Sequence, residues 1–126
     1  MQLIKSFPDV NERDDFEGNT ALHYAAQYNY FDCAALLLSL GANVERLNHR
    51  RQTPIHLATV HGSAEIVKLL GGCGADVNLG DKDDWTPIFQ AVFRGDIAMI
   101  ELLVWLGGDV DRKRVAIPLP QLTGRN

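Results

Sequence analysis

His23 and His56 are the residues best suited to chemistry, because imidazole is the side chain that gains and loses a proton near neutral pH. Each follows a threonine by three positions, Thr20 and Thr53, and the two histidines stand 33 residues apart. General acid–base work needs a placed reaction partner for each. The next 33-residue step lands on Phe89, which has no proton to move, so the position tolerates loss of the imidazole. Zinc needs converging ligands, and the chain has no C-x-x-C and no close His/Cys pairing. No Gly-rich phosphate loop precedes a helix, and no serine-centred elbow is present. The sequence therefore carries no catalytic constellation, and neither a metal nor a cofactor is expected.

Bulk properties agree. The chain has 126 residues, 46% hydrophobic and 22% charged, which suits one structural unit. A net charge of −4 without a polybasic run gives no pull toward nucleic acid or anionic lipid. Apolar runs such as residues 34–38 are far short of a bilayer span. Residues 1–10 do not read as a signal peptide, so membrane insertion is not expected and a cytoplasmic location, or a nuclear one, is.

The elements that position these residues are copies of one another. Thr20, Thr53 and Thr86 keep the 33-residue step, as do Leu36, Leu69 and Leu102, Gly41, Gly74 and Gly107, and Val44, Val77 and Val110. Thr53-Pro54 and Thr86-Pro87 place an N-cap hydroxyl before a proline at the first helical position. A break follows at Asn29, Gly62 and Gly95. A second helix then starts near Asp32, Ser63 and Asp96, its apolar stripe carried by Ile66, Val67, Leu69 and Leu70. Gly41, Gly74 and Gly107 fall where a left-handed C-terminal cap belongs, and an extended finger runs on to the next threonine. In this frame Cys33 aligns with Ile66 and Met99, and Cys73 with Leu40 and Leu106, so both cysteines are expected to be small buried hydrophobes.

Thr20-Ala21-Leu22-His23-Tyr24-Ala25-Ala26, Thr53-Pro54-Ile55-His56-Leu57-Ala58 and Gly74-Ala75-Asp76-Val77-Asn78 carry a resemblance to the ankyrin-repeat family, whose pattern is T-P-L-H-x-A at a period of about 33. The resemblance implies an all-α solenoid of helix-turn-helix units joined by finger loops. Repeats are expected over about 15–47, 48–80 and 81–113, with a partial unit at 1–14 and a truncated unit or tail at 114–126. It also implies that the histidine three after the threonine braces a loop. Four departures stand out. The first finger has one extra residue; Arg51 and Asp84 replace Gly18 at a turn that favours positive φ; and Gly71-Gly72 weakens the end of a helix, marking copy two as the soft unit. The unfinished fourth copy leaves the outer flank of Ile100, Leu103 and Leu106 facing water. Trp105 aligns with outward positions and is a candidate to hold the C-terminal tail. Residues 1–10 echo the tail of a preceding second helix, in Leu3-Ile4 and Asp9-Val10.

By the same resemblance, fingertips and first helices line a concave binding face. The matching positions are Phe16, Glu17, Asn19, Gln27 and Tyr28; His49, Arg50, Gln52, Val60 and His61; and Lys82, Asp83, Trp85, Phe93 and Arg94. Four aromatics and two arginines among them make a hot-spot-like set in a chain only 8% aromatic. Trp85 has a competing role in packing along its finger, and Phe16 one against the N-terminal segment. The fingers alternate in charge: acidic Glu12, Asp14, Asp15 and Glu17; basic Arg46, His49, Arg50 and Arg51; acidic Asp81, Asp83 and Asp84. That order predicts salt-sensitive association with a complementary partner. Asn78 resembles the asparagine that some ankyrin repeats present for hydroxylation, and a structural role accounts for it equally well.

The expected function is a non-catalytic module that binds another protein, monomeric unless its uncapped C-terminal face associates. The alternatives are an enzyme-inhibiting or assembly-adaptor repeat protein, and a structural segment of a longer array.

Overall fold

The threonine-led segments all become helices where the sequence placed their starts, but the Thr86 hydroxyl makes no cap bond. Thr20, Thr53 and Thr86 sit in extended backbone at the N-caps of α1 (Ala21–Gln27), α3 (Pro54–Val60) and α5 (Pro87–Arg94). The paired helices are α2 (Phe31–Ser39), α4 (Ala64–Gly72) and α6 (Ile97–Trp105). This computed structural model describes residues 9–110, and no strand occurs among them. Asn29, Gly62 and Gly95 take φ of 60°, 73° and 71°, which turns the chain between the helices of a pair.

Helices α1, α3 and α5 pack side by side as one row, each on its own partner from the row α2, α4 and α6. Ala25, Ala58 and Ala91 are buried at the inner row, where their small side chains let the helices approach closely. Leu22, Ile55 and Ile88 of the first helices and Leu70 and Leu103 of the second are buried in the same core. The molecule is an all-α helical repeat solenoid.

Repetition makes the ends of the described stack unlike its middle. Ile66 and Met99 are 0% and 1% exposed, yet Cys33, their equivalent, is exposed. That position faces the preceding repeat, and no described helix precedes α1. Cys73 is exposed as well: it is the C-cap of α4, and Leu40 at the same place is also exposed. The expectation of two buried cysteines is therefore corrected.

Leu103 is buried and does not face water, and Leu106 turns back toward copy two. A Cβ on Gly71 would lie 2.7 Å from Leu106 Cδ2, so this glycine seats the next repeat. Copy two, packed on both sides, has six buried residues in α3 alone, which runs against its being the soft unit. Residues 1–8 and the tail beyond 110, where a preceding helix end and a contact with Trp105 were expected, lie outside the described residues. Trp105 itself is 78% exposed.

Candidate functional site

Each finger is built on one carboxylate or amide. Asn48 Oδ1 accepts from the Arg50 and Gln52 N–H groups, and Asp81 Oδ1 from those of Asp83 and Trp85. In the first finger Asp14 Oδ1 accepts from Glu17, Gly18 and Asn19. These are side chains imitating a turn. The closing backbone bond spans Asp14 to Asn19 but Asn48 to Gln52 and Asp81 to Trp85, so the extra residue lies inside the first fingertip. Phe16 projects there, 86% exposed; residues 1–8 of the N-terminal segment on which it was expected to pack lie outside the described residues. Asp14 and Asp81, counted above with the outward charge, point inward at their own fingers.

Backbone bonds join the fingers into one tract: His49 N–H donates to Glu17 O at 2.8 Å, and Lys82 N–H to Arg50 O at 3.0 Å. The ring of His49 lies over Gly18, where any Cβ would come within 2.4 Å of it. Gly18, Arg51 and Asp84 all take positive φ, 73°, 59° and 65°, so two residues with a Cβ hold a conformation that glycine holds without strain.

Glu17, His49, Arg50, Lys82 and Asp83 are exposed along this row. A second row follows the first-helix ends, with Tyr28, His61, Phe93 and Arg94 exposed. Arg94 reaches back across the stack, its Nη1 donating to Val60 O at 2.6 Å. Trp85 is half-buried and meets Phe93 edge-on, with ring centroids 5.5 Å apart, linking the two rows. Tyr28 and Phe93 belong to opposite ends of the stack and to separate ring clusters.

Three of the fifteen matched positions serve the fold in part or wholly. Asn19 is buried, its Oδ1 accepting from Asn48 Nδ2 at 2.9 Å, and Gln52 Oε1 accepts from the same amide. Trp85, besides its ring contact, closes its finger through its own N–H and C=O.

The two histidines of the threonine motif are fully committed. In His23, Nδ1 accepts the Thr20 N–H at 2.9 Å while Nε2 lies 2.9 Å from Gln52 O. His56 repeats this with the Thr53 N–H at 3.0 Å and Trp85 O at 3.3 Å. Accepting at Nδ1 requires the proton on Nε2, which then donates to the next finger's carbonyl. No basic nitrogen is left for proton abstraction or metal binding. Burial pushes both imidazoles below their ordinary value. Among the described residues, no group of three His, Cys, Asp or Glu converges on a metal position.

A second ladder runs along the loops after the second helices. Asn11 accepts the Asn43 N–H and donates to Gly41 O, and Asn78 accepts the Asp109 N–H and donates to Gly107 O. Glu45 takes the same place and accepts the Asp76 N–H, but a carboxylate has no proton to donate and its Oε1 is buried without a partner. The amide of Asn78 is thus a clip between repeats. Asp9, Asn43 and Asp76 each accept the N–H two residues on, so the echo read at Asp9 extends to its turn.

The position-by-position reading passed over Tyr24 and Tyr30. Tyr24 and Tyr28 stack with centroids 6.5 Å apart, and Tyr28 meets Tyr30 at 5.9 Å. Tyr24 also donates its hydroxyl to Asp14 Oδ2. That bond holds the Asp14 carboxyl below its usual range and raises the Tyr24 phenol. The available signal was the i, i+4 spacing of Tyr24 and Tyr28, which puts both on one helix face.

Comparison with known proteins gives two family matches, "Ankyrin repeats (3 copies)" over residues 41–114 and "Ankyrin repeat" over residues 17–49. Among curated proteins the chain is similar to neurogenic locus notch homolog protein 1 from Homo sapiens, 48% identical over 50 residues. The proteins of the same name from Mus musculus and Xenopus tropicalis are 46% identical over 50 and 43% over 51 residues. Each match covers 40% of this chain and 2% of the relative, so the chain spans a small fraction of the length of these proteins.

Proposed function

Since the chain belongs to the ankyrin-repeat family, whose repeats are protein–protein interaction modules, we propose that it holds a partner protein across its fingertips and first-helix ends. The observation that carries this reading is where the copies differ. Motif positions such as Leu22, Ile55 and Ile88 are alike and buried, whereas the two outward rows hold Phe16, Tyr28 and Phe93 at 86%, 55% and 70% exposure. Large exposed aromatics cost solubility and suit the anchors of an interface. Around them stand Glu17, His49, Arg50, His61, Lys82, Asp83 and Arg94, with Trp85 partly open beside Phe93. Fingers of alternating charge add register and a salt-dependent approach.

Affinity capture with the wild-type chain, compared with a Tyr28→Ala/Phe93→Ala double variant, tests the reading. We expect a discrete set of proteins retained by the wild type and lost with the double variant at unchanged melting temperature. Identical capture by both would remove this surface from the interface.

A second reading, one section of a longer array, is supported by the end faces: Cys33 at one end, and Val92 and Val110 at the other, are exposed where their sister positions Ile66, Thr59 and Val77 are buried. Appending a further repeat at either end should then raise the melting temperature, and an unchanged melt would count against it.

A further inference from the structure

Copy one departs from its sisters in a way that the stack does not explain. Tyr30 occupies the N-cap of α2 and makes no side-chain cap bond. The same position in copy two is Ser63, which also makes no cap bond but whose hydroxyl donates across to Ala26 O of copy one at 3.2 Å, and in copy three Asp96, which caps its helix by accepting the Met99 N–H. The Tyr30 side chain makes neither bond. Tyr24 and Tyr28 are equally private to copy one, the sister residues being Leu57 and His61, then Gln90 and Arg94. Three tyrosines private to copy one thus fall within seven residues, and the result is one continuous shelf of three rings, with Tyr28 and Tyr30 more than half exposed.

The shelf borders an apolar groove of about 420 Å³ lined by Ala21, Tyr24, Tyr30, Cys33, Leu36 and Leu37. Copy one contributes exposed carboxylates on both sides of the shelf, Asp15 and Glu17 on the first finger and Asp32 in the first turn of α2, with the basic second finger adjoining Glu17 through the His49 N–H. Arg13, the nearest cation in sequence, sends its guanidinium to Leu47 O. The one salt bridge among the described residues, Glu65–Lys68, lies in copy two. Ring faces are electron-rich and attract cations, most of all the flat guanidinium that can stack on them. Neighbouring carboxylates add to that attraction.

We propose that the Tyr24–Tyr28–Tyr30 shelf and its acidic rim bind an arginine side chain of a partner, with an adjacent apolar side chain seated in the groove. This deepens the protein-binding reading above by naming the chemistry recognised at one end of the surface.

The test is an NMR titration of the full 126-residue chain with the peptide acetyl-Leu-Arg-Arg-Leu-amide, followed on the tyrosine ring resonances. A peptide with glutamates in place of the arginines is the control. We expect saturable shifts centred on Tyr24, Tyr28 and Tyr30, absent with the glutamate peptide. Tyr28→Ala should weaken binding at least about fivefold, and Trp105→Ala, an exposed ring on α6 outside the binding rows, should leave it unchanged. Tyr28 is exposed and its ring bears no cap, so the variant's spectrum reports directly on whether the fold is retained. Asp15→Asn with Glu17→Gln, which touches no ring, supplies a second variant and should also weaken the complex. Equal binding of the two peptides, no saturation at millimolar peptide, or an affinity indifferent to both variants would overturn the proposal. Capture of partners dependent on Phe93 but not on Tyr28 would then leave the wider reading standing.

Discussion

At the scale of single residues, one hydroxyl–imidazole pair is used twice and then abandoned. Thr20 with His23 and Thr53 with His56 satisfy the orphan donors of a helix start and tie it to the next finger. In copy three Phe89 has no ring nitrogen, and the buried Thr86 Oγ1 has no partner. An unpartnered buried hydroxyl opposes folding, whereas a bonded one supports it. Thr53→Val should therefore destabilise by about 1 kcal/mol. Thr86→Val should be neutral or slightly stabilising, and urea unfolding of the two variants measures the contrast. Equal losses at both sites would show that the cap does not depend on the imidazole. The histidines were legible as structural from the residues alone, because Phe89 breaks the series. Asp14 and Asp81 were not, since a carboxylate in a loop looks the same whether it meets solvent or three backbone N–H groups.

At the scale of the element, helix α4 ends in two glycines that the sequence presents as equivalent. They are not. A Cβ at Gly72 meets nothing within 4 Å, while one at Gly71 collides with both methyls of Leu106. Gly72→Ala should stabilise by about 0.5–1 kcal/mol, the helix-propensity difference. Gly71→Ala should gain less or lose, because Leu106 must move. Thermal melts of the two variants decide it, and matching gains would mean that Leu106 has room to shift. The helices themselves were readable in advance: threonine and proline at the starts and glycine past the ends are local signals that tertiary context did not overrule. The burial of Cys33 was misread because alignment assumes that every repeat has the same neighbours, and that of Cys73 because an apolar residue at the aligned place, Leu40, is itself exposed.

At the scale of the whole molecule, the histidine braces make cohesion between repeats sensitive to acid. Burial holds His23 and His56 below the ordinary imidazole value, about 6.5. The folded chain keeps both neutral where an unfolded chain has begun to take up protons. Their contribution to stability is then full above the unfolded value and is lost as pH falls toward the folded one. Protonation at Nδ1 would also set an N–H against the Thr20 or Thr53 N–H. The urea midpoint should fall between pH 7 and 5, with a shallower slope in His56→Phe, the residue that copy three carries at this place. Parallel slopes in the two proteins would locate the acid sensitivity elsewhere.

The 33-residue step and the helix starts followed from the sequence alone, because each depends on residue identity at short or fixed spacing. The step also isolated the positions where the copies differ, and most of these lie on the surface. Which of them face outward was decided only by the tertiary structure: Asn19 turns in, Phe16 is lifted clear by an inserted residue, and three tyrosines converge on one shelf. The first depends on Asn48, 29 residues away, which leaves no mark on local pattern, and the other two on how the backbone of copy one turns between residues that do not adjoin in sequence.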